Sequence, residues 1–151
     1  MHWSAHWSAK GQSSYGDHQL FERMYNQMTG EIDQLAEKCV GLFGPDSVSP
    51  FSQMDKAQAH ISRFKEVDCP LLRALAGEED LQVTIRTAYD LLKGMDSLSL
   101  GMDDYLMTLA NQHEVFIYLL QQRMTDSEGR PGIEKPPYDF SLVGEPIGDI
   151  E

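Results

Sequence analysis

Five metal-capable side chains stand at fixed intervals in one stretch of this chain, HWSAKGQSSYGDHQLFERMYNQMTGEIDQLAE, from His6 to Glu37: His6, His18, Glu22, Asp33 and Glu37. Two imidazoles and three carboxylates form a donor set that suits non-haem iron or another first-row divalent metal. The absence of thiolates among them argues against a structural zinc site. His18 and Glu22 are one i,i+4 pair and Asp33 and Glu37 are another, so on a helix each pair shares a face. The same residues also fit the charged border of an amphipathic helix, and spacing by itself does not separate the two readings.

The element that must position these groups is a long helix. Asp17 is the expected N-cap, with His18 in the first turn. Phe21, Met24, Tyr25, Met28, Ile32, Leu35, Ala36, Cys39 and Val40 recur at helical spacing and make its apolar stripe. The eleven steps from Glu22 to Asp33 return the chain to nearly the same row. The centres of the two pairs lie fifteen residues apart, or roughly 22 Å along a straight helix at about 1.5 Å per residue. One chain therefore cannot bring all four groups to one ion. Two copies packed antiparallel about a two-fold axis can, and an isologous interface makes such mixed sites in pairs.

His6-Trp7-Ser8-Ala9-Lys10-Gly11, Asp17-His18, Phe21-Glu22 and Glu31-Ile32-Asp33-Gln34-Leu35-Ala36-Glu37 resemble the Dps family of ferritin-like proteins, the mini-ferritins. The family pattern is His-Trp, then Lys-Gly within a few residues, and a second His twelve positions after the first. An acid follows four residues later, and an Asp-x-x-x-Glu pair stands farther along the same helix. The resemblance covers residues 2 to about 124 in layout and is specific only over 6–37. It implies an all-α, ferritin-like four-helix bundle with a short crossover helix, assembled from two-fold dimers into a dodecameric cage. It implies an intersubunit di-iron ferroxidase centre, with His6, His18 and Glu22 from one subunit and Asp33 and Glu37 from its mate. Ferrous iron is then oxidised by hydrogen peroxide or dioxygen and stored inside as a ferric mineral. A paired site lets two ferrous ions supply two electrons together and avoids a one-electron radical product. Trp7, beside the first ligand, is expected to shield the site or to take up stray oxidising equivalents. The family usually has Asp where Glu22 stands, so that carboxylate reaches one methylene farther. The family also has a long helix ahead of the His-Trp, whereas here it is shortened, or residues precede Met1. These two departures motivate an alternative from another class, a non-catalytic ferritin-like shell or adaptor protein with a weakened metal site.

Bulk properties narrow the choice. A chain of 151 residues is enough for one domain with a real core. Twelve Lys and Arg against twenty-four Asp and Glu give a net charge of −12. Such a surface repels nucleic acid and attracts cations, so DNA binding, common in the family through a basic tail, is not expected. Two cysteines, Cys39 and Cys69, give no disulfide framework, and Cys39 reads as a small core residue. No stretch is apolar over a bilayer-spanning length, and the N-terminus lacks a basic and an apolar region of the secretory kind. These features point to a cytoplasmic protein.

The remaining elements follow from periodicity and turn residues. The near-repeat His2-Trp3-Ser4-Ala5, His6-Trp7-Ser8-Ala9 predicts a short helix with His2 at its exposed end. The long helix ends near Gly44-Pro45. A crossover helix is expected from Pro50 to about Phe64, carrying His60 on the surface, and a break over Lys65–Pro70. The next helix starts at 71 or 77 and runs to 95 with Leu81, Ile85, Ala88, Leu92 and Met95 as its stripe. Glu78, Glu79 and Asp80 near its start complement the helix dipole. The last helix, 102–124, turns Met102, Tyr105, Leu106, Leu109, Phe116 and Leu120 inward, and His113 shares that face as a structural histidine. No Glu-x-x-His occurs, the motif by which larger ferritins build a di-iron centre within one bundle. Residues 1–124 thus read as the bundle and 125–151 as an extended tail. That tail holds four of the seven prolines and a net charge of −5, from seven acids and two bases.

Overall fold

The computed structural model describes residues 1–125 and is all-α. Among the described residues there are five α-helices, α1 (His2–Ser8), α2 (Ser14–Phe43), α3 (Pro50–Ser62), α4 (Pro70–Gly94) and α5 (Leu100–Arg123), and one 3₁₀ turn, Pro45–Val48. The tail assigned from sequence to 125–151 lies outside the described residues, apart from Thr125. Among the described residues no helix is long and apolar enough to cross a membrane. The helices fall into two compact units, Met1–Ala74 and Leu75 onward, with the boundary inside α4.

In the first unit, α1 stops at Ala9, whose extended backbone (ψ 123°) leaves the helical region. Gly11 then takes a positive φ of 90°, which glycine adopts without a Cβ penalty, and the chain turns back along α1. α2 begins at Ser14, earlier than the Asp17 cap expected from sequence. The Ser14 amide donates to the Gly11 carbonyl at 3.1 Å, so the turn feeds straight into the helix. Gly16 inside the first turn costs only about 1 kcal/mol of helix propensity, too little to stop it. Asp17 instead sits within the first turn, where its carboxylate complements the positive helix end. The far end is sharp. Gly44 has φ 83°, its amide closes on the Val40 carbonyl at 2.9 Å, and Pro45 follows. α3 and α4 each start on a proline at the first helical position, where the missing N–H would have been unpaired anyway. Between them, Arg73 reaches back from α4 to donate its Nε–H to the Val67 carbonyl at 2.8 Å.

In the second unit, α4 and α5 form an antiparallel hairpin. The Gln82 amide donates to the Ala110 carbonyl at 2.7 Å, and Glu78 meets His113 one turn farther along. Ile85 and Leu92 of α4 pack with Met102, Tyr105, Leu106 and Leu109 of α5. All six apolar residues expected on the inner face of α5 are buried, and so is His113. Met95, placed on the α4 stripe from sequence, lies one residue past the helix end and is 63% exposed. Asp96 beside it takes a left-handed φ of 53°, a conformation that Asp tolerates better than most side chains. The acidic run 78–80 is not at a helix start either. Because α4 begins at Pro70, these residues fall in its interior, and Glu78 and Asp80 are each 1% exposed. The Glu78 carboxylate accepts from His113 Nδ1–H, and the His113 ring meets Phe116 edge-on.

The hairpin turn supplies a modest prediction. Ser99 caps α5, its Oγ accepting from the Met102 amide at 3.2 Å. Ser99→Ala is expected to lower stability by about 1 kcal/mol, read as a shift in the urea midpoint at unchanged slope. No shift would mean that the cap contributes nothing in this context.

Candidate metal half-site

Two of the sequence-predicted ligands meet between α1 and α2. His6 Nδ1–H donates to the His18 carbonyl at 3.0 Å, and His18 Nδ1–H donates to the His6 carbonyl at 3.1 Å. The two rings stack with centroids 3.5 Å apart and an interplanar angle of 28°. A carbonyl can only accept, so both imidazoles carry their proton on Nδ1. Nε2 of each ring is then the nitrogen left to face another partner. Histidine ligands to metals are held this way, with the second nitrogen donating to a backbone carbonyl or a carboxylate. The twelve-residue spacing works because α1 ends two residues after His6 and the Gly11 turn folds α2 back against it.

His6 is buried, whereas His18 is exposed. Glu22, one turn beyond His18, is half-buried, and the Gln19 side-chain amide donates to its Oε2 at 3.4 Å. Asp33 and Glu37 stand exposed on the distal half of the same unbroken helix. Among the described residues of one chain, no three His, Cys, Asp or Glu side chains come together as a metal-binding group. The structure thus brings His6 and His18 together and leaves the acidic pair remote on the same helix.

The apolar stripe of α2 divides in the same place. Phe21 and Met24, near the histidines, are buried. Farther on, Ile32 is 64% exposed, and Leu35, Val40 and Phe43 are exposed too. Cys39, expected in the core, is half-buried. The half of α2 that carries Asp33 and Glu37 therefore presents apolar and acidic groups side by side.

Several neighbours of the histidine pair were not foreseen. His2, expected at an exposed helix end, is buried, with its ring nearly parallel to Phe21 at 6.4 Å. Tyr25 meets His6 edge-on, centroids 5.3 Å apart, and Trp3 leans on Tyr25 at 5.7 Å. The available signal was the seven-residue step from His18 to Tyr25, two helical turns that return to the same row. Trp7, the expected shield, is 75% exposed in the single chain.

No family model matches the chain, and no solved structure matches it. It is similar to an uncharacterized low temperature-induced protein of Nostoc sp. and to that protein's homolog in Anabaena variabilis. Each is 26% identical over 128 residues, which span 83% of this chain and 69% of the relative. At that identity, the all-helical chain is a distant relative of two cyanobacterial proteins whose shared description names a condition of induction and no activity.

Proposed function

We propose that the protein is a Dps-like ferroxidase of ferritin-like fold, which oxidises ferrous iron at a di-iron site shared between two copies and stores the ferric product in a hollow oligomer. The observation that carries this reading is the reciprocal clamp of His6 and His18, which commits both Nδ1 protons to carbonyls and leaves Nε2 of each ring as the nitrogen that would meet a metal. His6, His18 and Glu22 would hold iron from one copy, and Asp33 and Glu37 from its mate. The exposed apolar residues beside Asp33 and Glu37 support a second copy on that face, since burying a Leu or Ile side chain contributes about 1.5–3 kcal/mol.

Iron here is substrate. Carboxylates neutralise its charge and favour the ferric state, and the imidazoles complete the ligand set. Two ferrous ions held together reduce one hydrogen peroxide to two waters, taking up two protons and becoming two ferric ions, with no radical released. A protective role of this kind suits relatives described as induced by low temperature. The −12 charge favours entry of cations and opposes a grip on DNA.

An anaerobic ferrous titration tests the proposal. Binding is expected to saturate at about two ferrous ions per chain, because a two-fold dimer carries one two-iron site for each copy. The optical change should be lost in His18→Ala. Absence of saturable binding would exclude the ferroxidase and leave the non-catalytic shell.

A further inference from the structure

We propose that the cavity between α1 and the start of α4 is a binding site for free phosphate, held by the Arg73 guanidinium and the hydroxyl oxygens of Ser4 and Ser8. The cavity measures about 250 Å³ and lies within the first unit. Ser4, Ala5 and Ser8 of α1 form one wall, and Pro70, Arg73 and Ala74 of α4 form the other. Its size falls just below the usual range for drug-sized ligands, about 300–1,000 Å³, and is ample for a small oxyanion. α1 thus presents two faces. His2 and His6 turn toward α2, and the serine face turns toward α4, so this cavity is separate from the histidine pair.

The charge of the cavity runs against that of the chain. Acids outnumber bases by twenty-four to twelve overall, yet among the described residues no carboxylate lines the cavity. Arg73 is half-buried and makes no ion pair among the described residues. Its Nε–H and an Nη2–H both donate to the Val67 carbonyl, and Val67 is itself buried. One edge of the guanidinium is thereby pinned, while the N–H groups of the other edge, those of Nη1 included, are left for a ligand. Paired N–H groups of arginine match two oxygens of a phosphate or of a carboxylate. The serines choose between these two. Ser4 donates its hydroxyl hydrogen to the Met1 carbonyl at 2.7 Å, and Ser8 donates to the Ala5 carbonyl at 3.2 Å. With that hydrogen spent, each Oγ offers acceptor capacity only. Carboxylate and sulfate ions have no hydrogen to give at neutral pH. Phosphate still carries at least one P–OH, which donates to a serine oxygen while its unprotonated oxygens accept from Arg73. A charged donor beside neutral acceptors is the combination that a partly protonated oxyanion requires.

Equilibrium dialysis of the iron-free protein against radiolabelled inorganic phosphate, at constant ionic strength in chloride, reads this site and does not depend on the ferroxidase reading. Saturable uptake of one phosphate per chain is expected. Unlabelled sulfate and acetate should displace it at least about tenfold less well than unlabelled phosphate, the discrimination carried by one hydrogen bond to a charged group. Arg73→Lys keeps the charge but loses the paired donors, and should weaken uptake by about tenfold or more. The double variant Ser4→Ala/Ser8→Ala leaves the bonds from Arg73 to Val67 in place. It should weaken uptake and abolish the preference for phosphate over sulfate, with the helical circular dichroism unchanged. If Arg73→Lys loses its helical circular dichroism, the serine variant decides the matter alone. Absence of saturable uptake, sulfate competing as well as phosphate, or uptake unchanged in the serine variant would each overturn the site.

Discussion

Replacing His113 by leucine is expected to cost about 3–5 kcal/mol of folding stability, the usual penalty for removing one partner of a buried charge-capable pair. Glu78 and His113 are buried on facing helices, with the carboxylate accepting from the imidazole Nδ1–H. Leucine fills most of the ring's volume but supplies no donor. The buried Glu78 oxygen loses this hydrogen bond, and the edge contact to Phe116 at 5.6 Å goes with it. Urea unfolding should show the midpoint falling at constant slope. The double variant Glu78→Leu/His113→Leu should recover much of the loss, because an apolar pair of similar volume removes both polar members of this pair together. A single variant that loses less than about 1 kcal/mol would mean the pair is solvated and does not fasten α4 to α5. The same substitution should leave ferrous binding untouched, since neither residue belongs to the proposed site.

The helices themselves were legible where one face is buried along its whole length. α5 is the clearest case: Met102, Tyr105, Leu106, Leu109, Phe116 and Leu120 mark the buried side by period alone. Helix starts were less legible. Asp17 has the chemistry of a cap, but the Gly11 turn delivers the chain into helical geometry before reaching it. Glu78 and Asp80 have the chemistry of a first turn, but the Pro70 start moves them into the helix interior, where they are buried. In both places a local preference worth about 1 kcal/mol yielded to the path of the backbone.

The candidate site divides in the same manner. Its residue types and intervals were visible in the chain, and the i,i+4 pairs follow from helix geometry. The crossed Nδ1-to-carbonyl bonds between His6 and His18 were not visible, because they depend on how α1 lies against α2. Nor was Tyr25 as the neighbour of His6, since a tyrosine on an apolar stripe reads as packing until the second helix is placed. Three of the nine stripe residues of α2, Ile32, Leu35 and Val40, are exposed although the sequence pattern is continuous from Phe21 to Val40. Periodicity states which face is apolar and does not say what covers it.

The central claim, that the iron site belongs to a pair of chains, is tested most directly by co-expressing two inactive variants. On one unbroken helix the two ligand pairs are separated by roughly 22 Å, so under this proposal each copy would contribute two half-sites to two different centres. His18→Ala keeps Asp33 and Glu37 intact, and Glu37→Ala keeps His6, His18 and Glu22 intact. In a mixed dimer one centre combines both defects and the other combines both intact halves. Each variant alone should oxidise ferrous iron near the background rate. Heterodimers confirmed by mass should regain up to about half of the wild-type rate per dimer. Confirmed heterodimers that remain as inactive as their parents would contradict the shared site and leave the five residues as the charged border of an amphipathic helix.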